Sequence, residues 1–234
     1  MRNKLVHVLL FTVRLVEKII GLLDRNRMLR RKLNVFYPYK ENHVIAKCIF
    51  FHIPKNAGTT ILKGLGGHKN EHRIHASWSE YHNRSPYLFK ELFKFSVVRN
   101  PLDRVVSAYF YIKQNKFTNE KDSIFSENIR NNYPTFKIFV DNYLNHDTIW
   151  EHILLRPQWY FIIDENGKLV TDYLIHFESF NSEIELISNK LGIKSNKFGI
   201  HNKGVRNSYE QYYDTKSIQK IKNLYAKDFA KFGY

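Results

Sequence analysis

Cysteine is nearly absent from this chain: Cys48 is the only one among 234 residues. An intrachain disulfide and a multi-cysteine metal cage are therefore both excluded. Cys48 lies in an apolar run, where we expect a small core side chain. This use of cysteine favours a reducing, cytoplasmic location.

A long uninterrupted apolar run is also missing. The apolar-rich amino-terminal stretch, residues 5–23, is interrupted by ionisable side chains: His7, Arg14, Glu17 and Lys18. A membrane-spanning helix needs about 20 nearly uninterrupted apolar residues, so a transmembrane anchor is not expected. The basic and the aliphatic residues instead fall on opposite sides of a helix. Residues 1–33 are therefore predicted to form an amphipathic helix with a basic end, which contacts an anionic membrane surface or packs on its own domain or a partner subunit.

Acidic residues are scarce relative to basic ones. The chain has 37 Lys and Arg against 22 Asp and Glu, a formal net charge of +15. This surplus favours a polyanionic partner: nucleic acid, anionic lipid, an anionic glycan or a phosphate-rich cofactor. A zinc finger, an RNA-recognition aromatic signature and a helix-turn-helix pair are not found, so nucleic acid is not the expected partner.

Three short apolar runs are predicted to be buried strands of one sheet: 44–53, 93–98 and 172–177. Helical patterns are found at 59–65, 102–113, 134–145, 179–191 and 217–232. Residues 34–43 are interpreted as a linker, and 68–85 mainly as a loop. Repeated strand–loop–helix units predict an α/β fold. We expect a single P-loop-like domain, residues 44–234, with a central parallel sheet flanked by helices.

The first motif follows the first predicted strand and reads Pro54-Lys55-Asn56-Ala57-Gly58-Thr59-Thr60. Free N–H groups at a helix start, two hydroxyls and one ammonium together form an anion cradle, and Gly58 lets the backbone approach a ligand closely. A Walker A loop has its lysine after the second glycine, whereas Lys55 precedes Gly58. The motif therefore predicts a phosphate-binding loop that differs from that of ordinary ATP or GTP hydrolases.

The second motif spans the end of the 93–98 strand and the following helix. Arg99 comes directly after the strand, at the edge where open α/β sheets bind ligands, and Ser107 falls two helical turns later. The planar guanidinium suits a phosphate, and serine adds one further donor. Two separate anion sites predict a nucleotide that is phosphorylated at two places.

The two motifs together resemble those of the carbohydrate sulfotransferases that use 3'-phosphoadenosine 5'-phosphosulfate (PAPS), including the heparan sulfate 2-O- and chondroitin sulfotransferases and their bacterial relatives. The resemblance runs from about residue 44 to the carboxyl terminus. It implies that the 54–60 loop binds the 5'-phosphosulfate and that Arg99 and Ser107 bind the 3'-phosphate. It further implies PAPS as co-substrate, a carbohydrate or glycolipid as acceptor, and no metal.

The same resemblance implies a catalytic lysine and a general base. Lys55 is expected to stabilise the charge that develops on the leaving phosphate oxygen. His75 lies between the two motifs, where several members of the family carry a catalytic histidine. Imidazole is suited to this role because it titrates near neutral pH.

Other groups compete with His75 for the role of base. The neighbouring histidines are His72 and His82, and the next candidates are two carboxylates, Glu80 and Glu178. His75 could instead form a chance metal site with two further histidines, His68 and His72.

Two other functions fit parts of the sequence. One is a nucleoside or small-molecule kinase with a degenerate phosphate loop. It would need an acidic Mg²⁺ ligand at a strand end, whereas Asp103 falls inside the predicted helix. The other is a non-catalytic basic protein that binds nucleic acid or an anionic membrane, which would account for the net charge.

Overall fold

The computed structural model describes residues 37–39, 41–66, 74–199 and 207–234. The amphipathic helix at 1–33 and its contact with a membrane lie outside these residues and remain predictions. His68 and His72 lie outside them as well. Within the described ranges, no helix has the length and apolar character required to cross a bilayer.

A three-stranded parallel sheet lies at the centre of the described domain. Its strands are β1 (Cys48–Phe51), β2 (Phe93–Val98) and β3 (Tyr173–His176), in that spatial order. Because neighbouring strands run parallel, all three carboxyl ends meet at one edge of the sheet, which is where α/β domains bind ligands.

Helices surround the sheet. In chain order they are α1 (Glu41–Ile45), α2 (Gly58–Gly64), α3 (Trp78–Arg84), α4 (Pro86–Glu91), α5 (Pro101–Lys113), α6 (Glu120–Asn132), α7 (Phe136–Ile138), α8 (Thr148–Glu151), α9 (Trp159–Ile162), α10 (Phe180–Leu191), α11 (Thr215–Leu224) and α12 (Ala226–Phe232). Helix α7 continues into one π-helical turn, Phe139–Tyr143, and short 3-10 turns lie at Phe177–Ser179, Ser195–Phe198 and Tyr209–Tyr212.

Apolar side chains cover both faces of the sheet, which explains why its strands are nearly continuous apolar runs in the sequence. On one face Ile49 and Phe51 pack in a cluster with Phe161. On the other face Phe50 and Phe95 pack in a second cluster, which also contains Cys48. The predicted α/β fold, with a central parallel sheet flanked by helices, is confirmed, and Cys48 is the core residue that its surroundings predicted.

The first strand is shorter than the predicted 44–53. Helix α1 occupies the start of that run, and Lys47, with a φ angle of 51°, turns the chain between α1 and β1. Val44 is buried. A buried apolar residue in so short a run does not distinguish helix from strand, which is why the pattern was misleading.

The loop predicted at 68–85 is wrong in part, because residues 78–84 form α3. Ser77 and Glu80 make a capping box at its start, in which Oε2 of Glu80 accepts the backbone N–H of Ser77 at 2.8 Å. The helix predicted at 217–232 is likewise divided at Tyr225, whose buried hydroxyl donates to the carbonyl of Leu155 at 2.7 Å.

Candidate active site

The loop between β1 and α2 carries the first predicted motif. Lys55 and Ala57 have positive φ angles of 72° and 56°, and the carbonyl of Ala57 accepts N–H bonds from Thr60 and Ile61 as α2 begins. A left-handed residue next to helical ones is a backbone pattern that can bind an anion through successive N–H groups. Thr59 is half-buried, whereas Thr60 is only 3% exposed. Of the two hydroxyls, that of Thr59 is therefore the more accessible to a ligand.

Position 58 requires glycine because a neighbouring side chain leaves no space for a Cβ atom. A Cβ atom built on Gly58 would lie 1.7 Å from Nε2 of His52, a buried residue that directly follows β1. The sequence suggested close approach of a ligand as the reason for this glycine. The structure shows that the His52 ring already fills the space beside it.

Gly58→Ala should lower the free energy of unfolding by about 1–3 kcal/mol, because the added methyl group overpacks against a buried ring. His52→Ala removes that ring, so Gly58→Ala should cost less in the His52→Ala background than in the wild type. Urea unfolding of the wild type, both single variants and the double variant measures this coupling. Equal costs in the two backgrounds would show that the His52 ring is not the obstacle.

Arg99 joins the second motif to the first. Its Nη1 donates to the backbone carbonyl of Lys55 at 3.0 Å. Its Nε and Nη2 each lie 2.6 Å from Oδ2 of Asp103, one helical turn further along the chain. The guanidinium carbon lies 4.0 Å from the centre of the Phe177 ring, and the residue is 8% exposed. The positive charge is therefore held beside the first loop rather than in solvent.

Ser107 lies on the face of α5 that is turned toward the same loop. Asp103, Ser107 and Tyr111 are spaced by four residues and so share one face of the helix. Asp103 pairs with Arg99 at one end of this stripe, and Nζ of Lys55 lies 3.8 Å from the centre of the Tyr111 ring at the other. Ser107 is half-buried between them. The structure thus brings Lys55, Arg99 and Ser107 to one region.

A buried glutamine, Gln158, ties the two motifs together. Oε1 of Gln158 accepts from Nδ2 of Asn56 at 2.6 Å and from the backbone N–H of Arg99 at 3.0 Å. Nε2 of Gln158 donates to the carbonyl of Arg99 at 2.8 Å. Nδ2 of Asn56 also donates to the carbonyl of Val97 at 2.8 Å. The side chain of Asn56 therefore braces the loop against the end of β2, and the binding of the cofactor by this loop stays a prediction.

Asp228, on α12, anchors this network from the carboxyl-terminal part of the chain. Its two oxygens accept the backbone N–H groups of Gln158 and Trp159, both at 2.8 Å. Burial raises the pKa of the Asp228 carboxyl to about 6, although the Arg104 guanidinium acts in the opposite direction. Arg104 is itself buried and donates to the carbonyl of Arg156 at 2.7 Å. The segment around Gln158 is thus fixed by charged groups in the core.

The raised pKa of Asp228 predicts a pH dependence of stability. Ionisation of Asp228 costs more in the folded protein than in the unfolded chain, where its pKa is near 3.8. The protonated carboxyl therefore contributes fully to the free energy of unfolding below about pH 3.8, and this contribution is lost as the pH rises through about 6. Asp228→Asn cannot ionise and should lose less stability than the wild type between about pH 4 and 7. Urea unfolding of both proteins across this range measures the difference. Parallel curves would contradict the raised pKa.

His75 lies in the short segment that leads into α3. Its Nδ1 is 2.8 Å from the carbonyl oxygen of His52, and the two imidazole rings are 4.2 Å apart. A carbonyl oxygen only accepts hydrogen bonds, so Nδ1 carries the proton and Nε2 of the neutral ring keeps its lone pair. The backbone of His52 therefore selects the tautomer that can accept a proton at Nε2.

The competing groups are placed differently. His82 is exposed on α3. The carboxylate of Glu80 belongs to the capping box of that helix. Oε1 of Glu178 accepts the backbone N–H of Asn100, the residue before α5, at 2.9 Å. Among the described residues, no group of three or more potential metal-ligating side chains is arranged to hold an ion. The chance metal site that involves His68 and His72 falls outside those residues and stays a prediction.

A family match extends over most of the chain. The model of the sulfotransferase family matches residues 39–234, which include both motifs, Gln158 and Asp228. No curated protein and no solved structure matches the chain. The resemblance indicated by the two motifs is thereby confirmed at the level of the family. The chain belongs to the sulfotransferase family.

Proposed function

We propose that this sulfotransferase moves a sulfuryl group from PAPS to a hydroxyl of a carbohydrate or glycolipid. The observation that carries the proposal is the 3.0 Å contact between Arg99 and the carbonyl of Lys55, with Gln158 bonded to both motifs. These bonds hold together the two segments that follow β1 and β2, and each segment carries one cationic side chain, Lys55 or Arg99. A nucleotide with anionic groups at its 5' and 3' positions has the chemistry to engage both.

The donor would be divided between the two motifs. The N–H groups that follow Ala57, the hydroxyl of Thr59 and the ammonium of Lys55 would hold the 5'-phosphosulfate, with the buried Pro54 at the entry to the loop. Arg99 and Ser107 would hold the 3'-phosphate. Because Asn56 and Arg99 already hold the loop in place, donor binding costs little further conformational entropy in the loop.

The reaction is an in-line displacement at sulfur. The acceptor oxygen forms a new S–O bond while the S–O bond to the 5'-phosphate breaks, and the bonding electrons leave with adenosine 3',5'-bisphosphate. Nε2 of His75 accepts the proton of the acceptor hydroxyl, which makes that oxygen a better nucleophile. The Lys55 ammonium stabilises the negative charge that grows on the leaving oxygen. Protein cations supply here the stabilisation that Mg²⁺ supplies in kinases.

Incubation with sulfur-labelled PAPS and a panel of glycans, glycolipids and proteins tests the proposal. We expect adenosine 3',5'-bisphosphate to be released and the label to appear on a carbohydrate. Labelled ATP in the same assay should transfer nothing. Transfer from ATP but not from PAPS would instead indicate a kinase, whereas transfer from PAPS to proteins alone would overturn the acceptor and leave the donor in place.

A further inference from the structure

Tyr111 lies beside the lysine that the proposed function makes catalytic. Nζ of Lys55 lies 3.8 Å from the centre of the Tyr111 ring, well within the roughly 6 Å over which an aromatic face attracts an ammonium group. The ring is half-buried, so water weakens this attraction less than it would on an open surface. Tyr111 follows Ser107 by four residues and shares its face of α5, but it belongs to neither of the two predicted anion sites.

The Tyr111 ring is itself held in place. Helix α5 fixes its backbone, and the Phe117 ring packs against it at 5.6 Å with an interplanar angle of 86°. Phe117 in turn packs against the ring of His152, which is buried, at 5.8 Å. A lysine side chain rotates about more bonds than a tyrosine side chain and loses more conformational entropy when it is fixed. The rigid ring therefore restricts the more flexible of the two side chains.

Lys55 is held at both ends by the segment that contains α5. Its backbone carbonyl accepts Nη1 of Arg99, just before the helix, at 3.0 Å. Its ammonium faces Tyr111, near the end of the helix. A charge that is already in place requires no reorganisation when the leaving oxygen becomes negative, which is the condition for efficient electrostatic stabilisation of a transition state.

We propose that Tyr111 is a positioning residue for the transfer reaction, and that the π face of its ring places the Lys55 ammonium for contact with the leaving phosphate oxygen. This inference rests on the proposed function, because it concerns the catalytic role that the proposal gives to Lys55. The attraction depends on the face of the ring and not on the hydroxyl. Phenylalanine can therefore replace Tyr111, whereas an aliphatic side chain cannot.

Steady-state kinetics test the inference, with sulfur-labelled PAPS and the member of the acceptor panel that takes up most label. Tyr111→Leu should lower kcat about tenfold with little change in the Michaelis constant for PAPS, because Lys55 acts mainly on the transition state. Tyr111→Phe should retain most of the wild-type kcat. In the Lys55→Ala background, Tyr111→Leu should cause no further loss, because its effect passes through the ammonium.

Phe110→Leu is the matched control for the loss of an aromatic ring from α5. Phe110 is also half-buried, but its ring packs on those of Tyr109 and Tyr212, at 5.3 and 5.1 Å. This variant should keep the wild-type kcat. Pentafluorophenylalanine at position 111 keeps a ring but removes the negative charge of its face, so it should be as slow as Tyr111→Leu and replaces that variant if it does not fold.

NMR of the full-length protein with carbon-13-labelled lysine reports the contact without turnover. The Cε–H signal of Lys55 is assigned by its loss in Lys55→Arg. Because an aromatic ring shields protons above its face, this signal should lie upfield in the wild type and in Tyr111→Phe. It should move downfield in Tyr111→Leu.

The outcomes separate the inference from the proposed function. An unchanged kcat in Tyr111→Leu, or a Lys55 signal at the same position in this variant and the wild type, would overturn the inference alone. So would a Tyr111→Phe variant as slow as Tyr111→Leu, or an equal further loss in the Lys55→Ala background, since both indicate a merely structural ring. A wild type that transfers no label from PAPS would overturn the proposed function, and with it the catalytic role of a contact that NMR still detects.

Discussion

The His75→Ala variant is expected to turn over about 10²–10⁴-fold more slowly than the wild type while it binds adenosine 3',5'-bisphosphate normally. The reason is geometric: the 2.8 Å bond from Nδ1 to the carbonyl of His52 leaves Nε2 as the basic nitrogen. Steady-state kinetics with PAPS and an acceptor measure the loss, and calorimetry measures the binding. The turnover of the wild type should also fall at acidic pH, because a protonated imidazole cannot accept a proton, and the variant should lack this acidic limb.

His82→Ala and His72→Ala serve as controls that remove an imidazole from the same part of the chain. His82 is exposed on α3, and its loss should leave turnover unchanged. An inactive His72→Ala would assign the base to that residue and preserve the mechanism. If all three variants remain active, a carboxylate is the base, and Glu80 and Glu178 are then the groups to replace.

Lys55→Ala is expected to lower kcat by about 10²–10³-fold with little change in the Michaelis constant for PAPS. The ammonium acts mainly on the charge that appears on the leaving oxygen during transfer, so its removal affects the transition state more than the ground state. Its position is defined in the structure, where Nζ lies 3.8 Å from the centre of the Tyr111 ring. The kinetic constants for PAPS at saturating acceptor give both quantities.

Lys63→Ala is a matched control for the loss of a positive charge, since Lys63 is half-buried on α2, the helix that follows the Lys55 loop. It should retain the activity of the wild type. A Lys55→Ala variant that changes only the Michaelis constant would show that Lys55 binds the donor without stabilising the transition state.

Strand β2 and the start of the helix after it were predictable because they depend on local patterns. Strand β2 lies at 93–98 as predicted, and Arg99 follows it directly. The helix that follows this strand, α5, begins at Pro101. Asn100 caps it, because its Oδ1 accepts the backbone N–H of Leu102 at 2.9 Å. Proline needs no N–H partner at a first helical position, which makes such a start visible in the sequence.

The bracing of the site was not predictable, because its partners are distant in the sequence. The hydrogen bond between Asn56 and Gln158 joins residues 102 positions apart. Asp228 is a buried carboxylate only because α12 packs beneath the Gln158 segment, and no local periodicity encodes that contact. Helix α3 is a different case, since the Ser-x-x-Glu pattern of its capping box was present but lay in a stretch with the composition of a loop.

Calorimetric titration with adenosine 3',5'-bisphosphate tests the central claim most directly, namely that the 54–60 loop and the Arg99–Ser107 pair are two anion sites for one nucleotide. In a buffer with EDTA we expect the bisphosphate to bind at least about tenfold more tightly than adenosine 5'-monophosphate, because charge-assisted hydrogen bonds to the second phosphate contribute about 1.5–3 kcal/mol each. Arg99→Ala should remove most of this difference, and Ser107→Ala, which leaves the Arg99 contact with the loop in place, should remove part of it. Equal affinity for the two nucleotides, or a difference that neither variant reduces, would contradict the account.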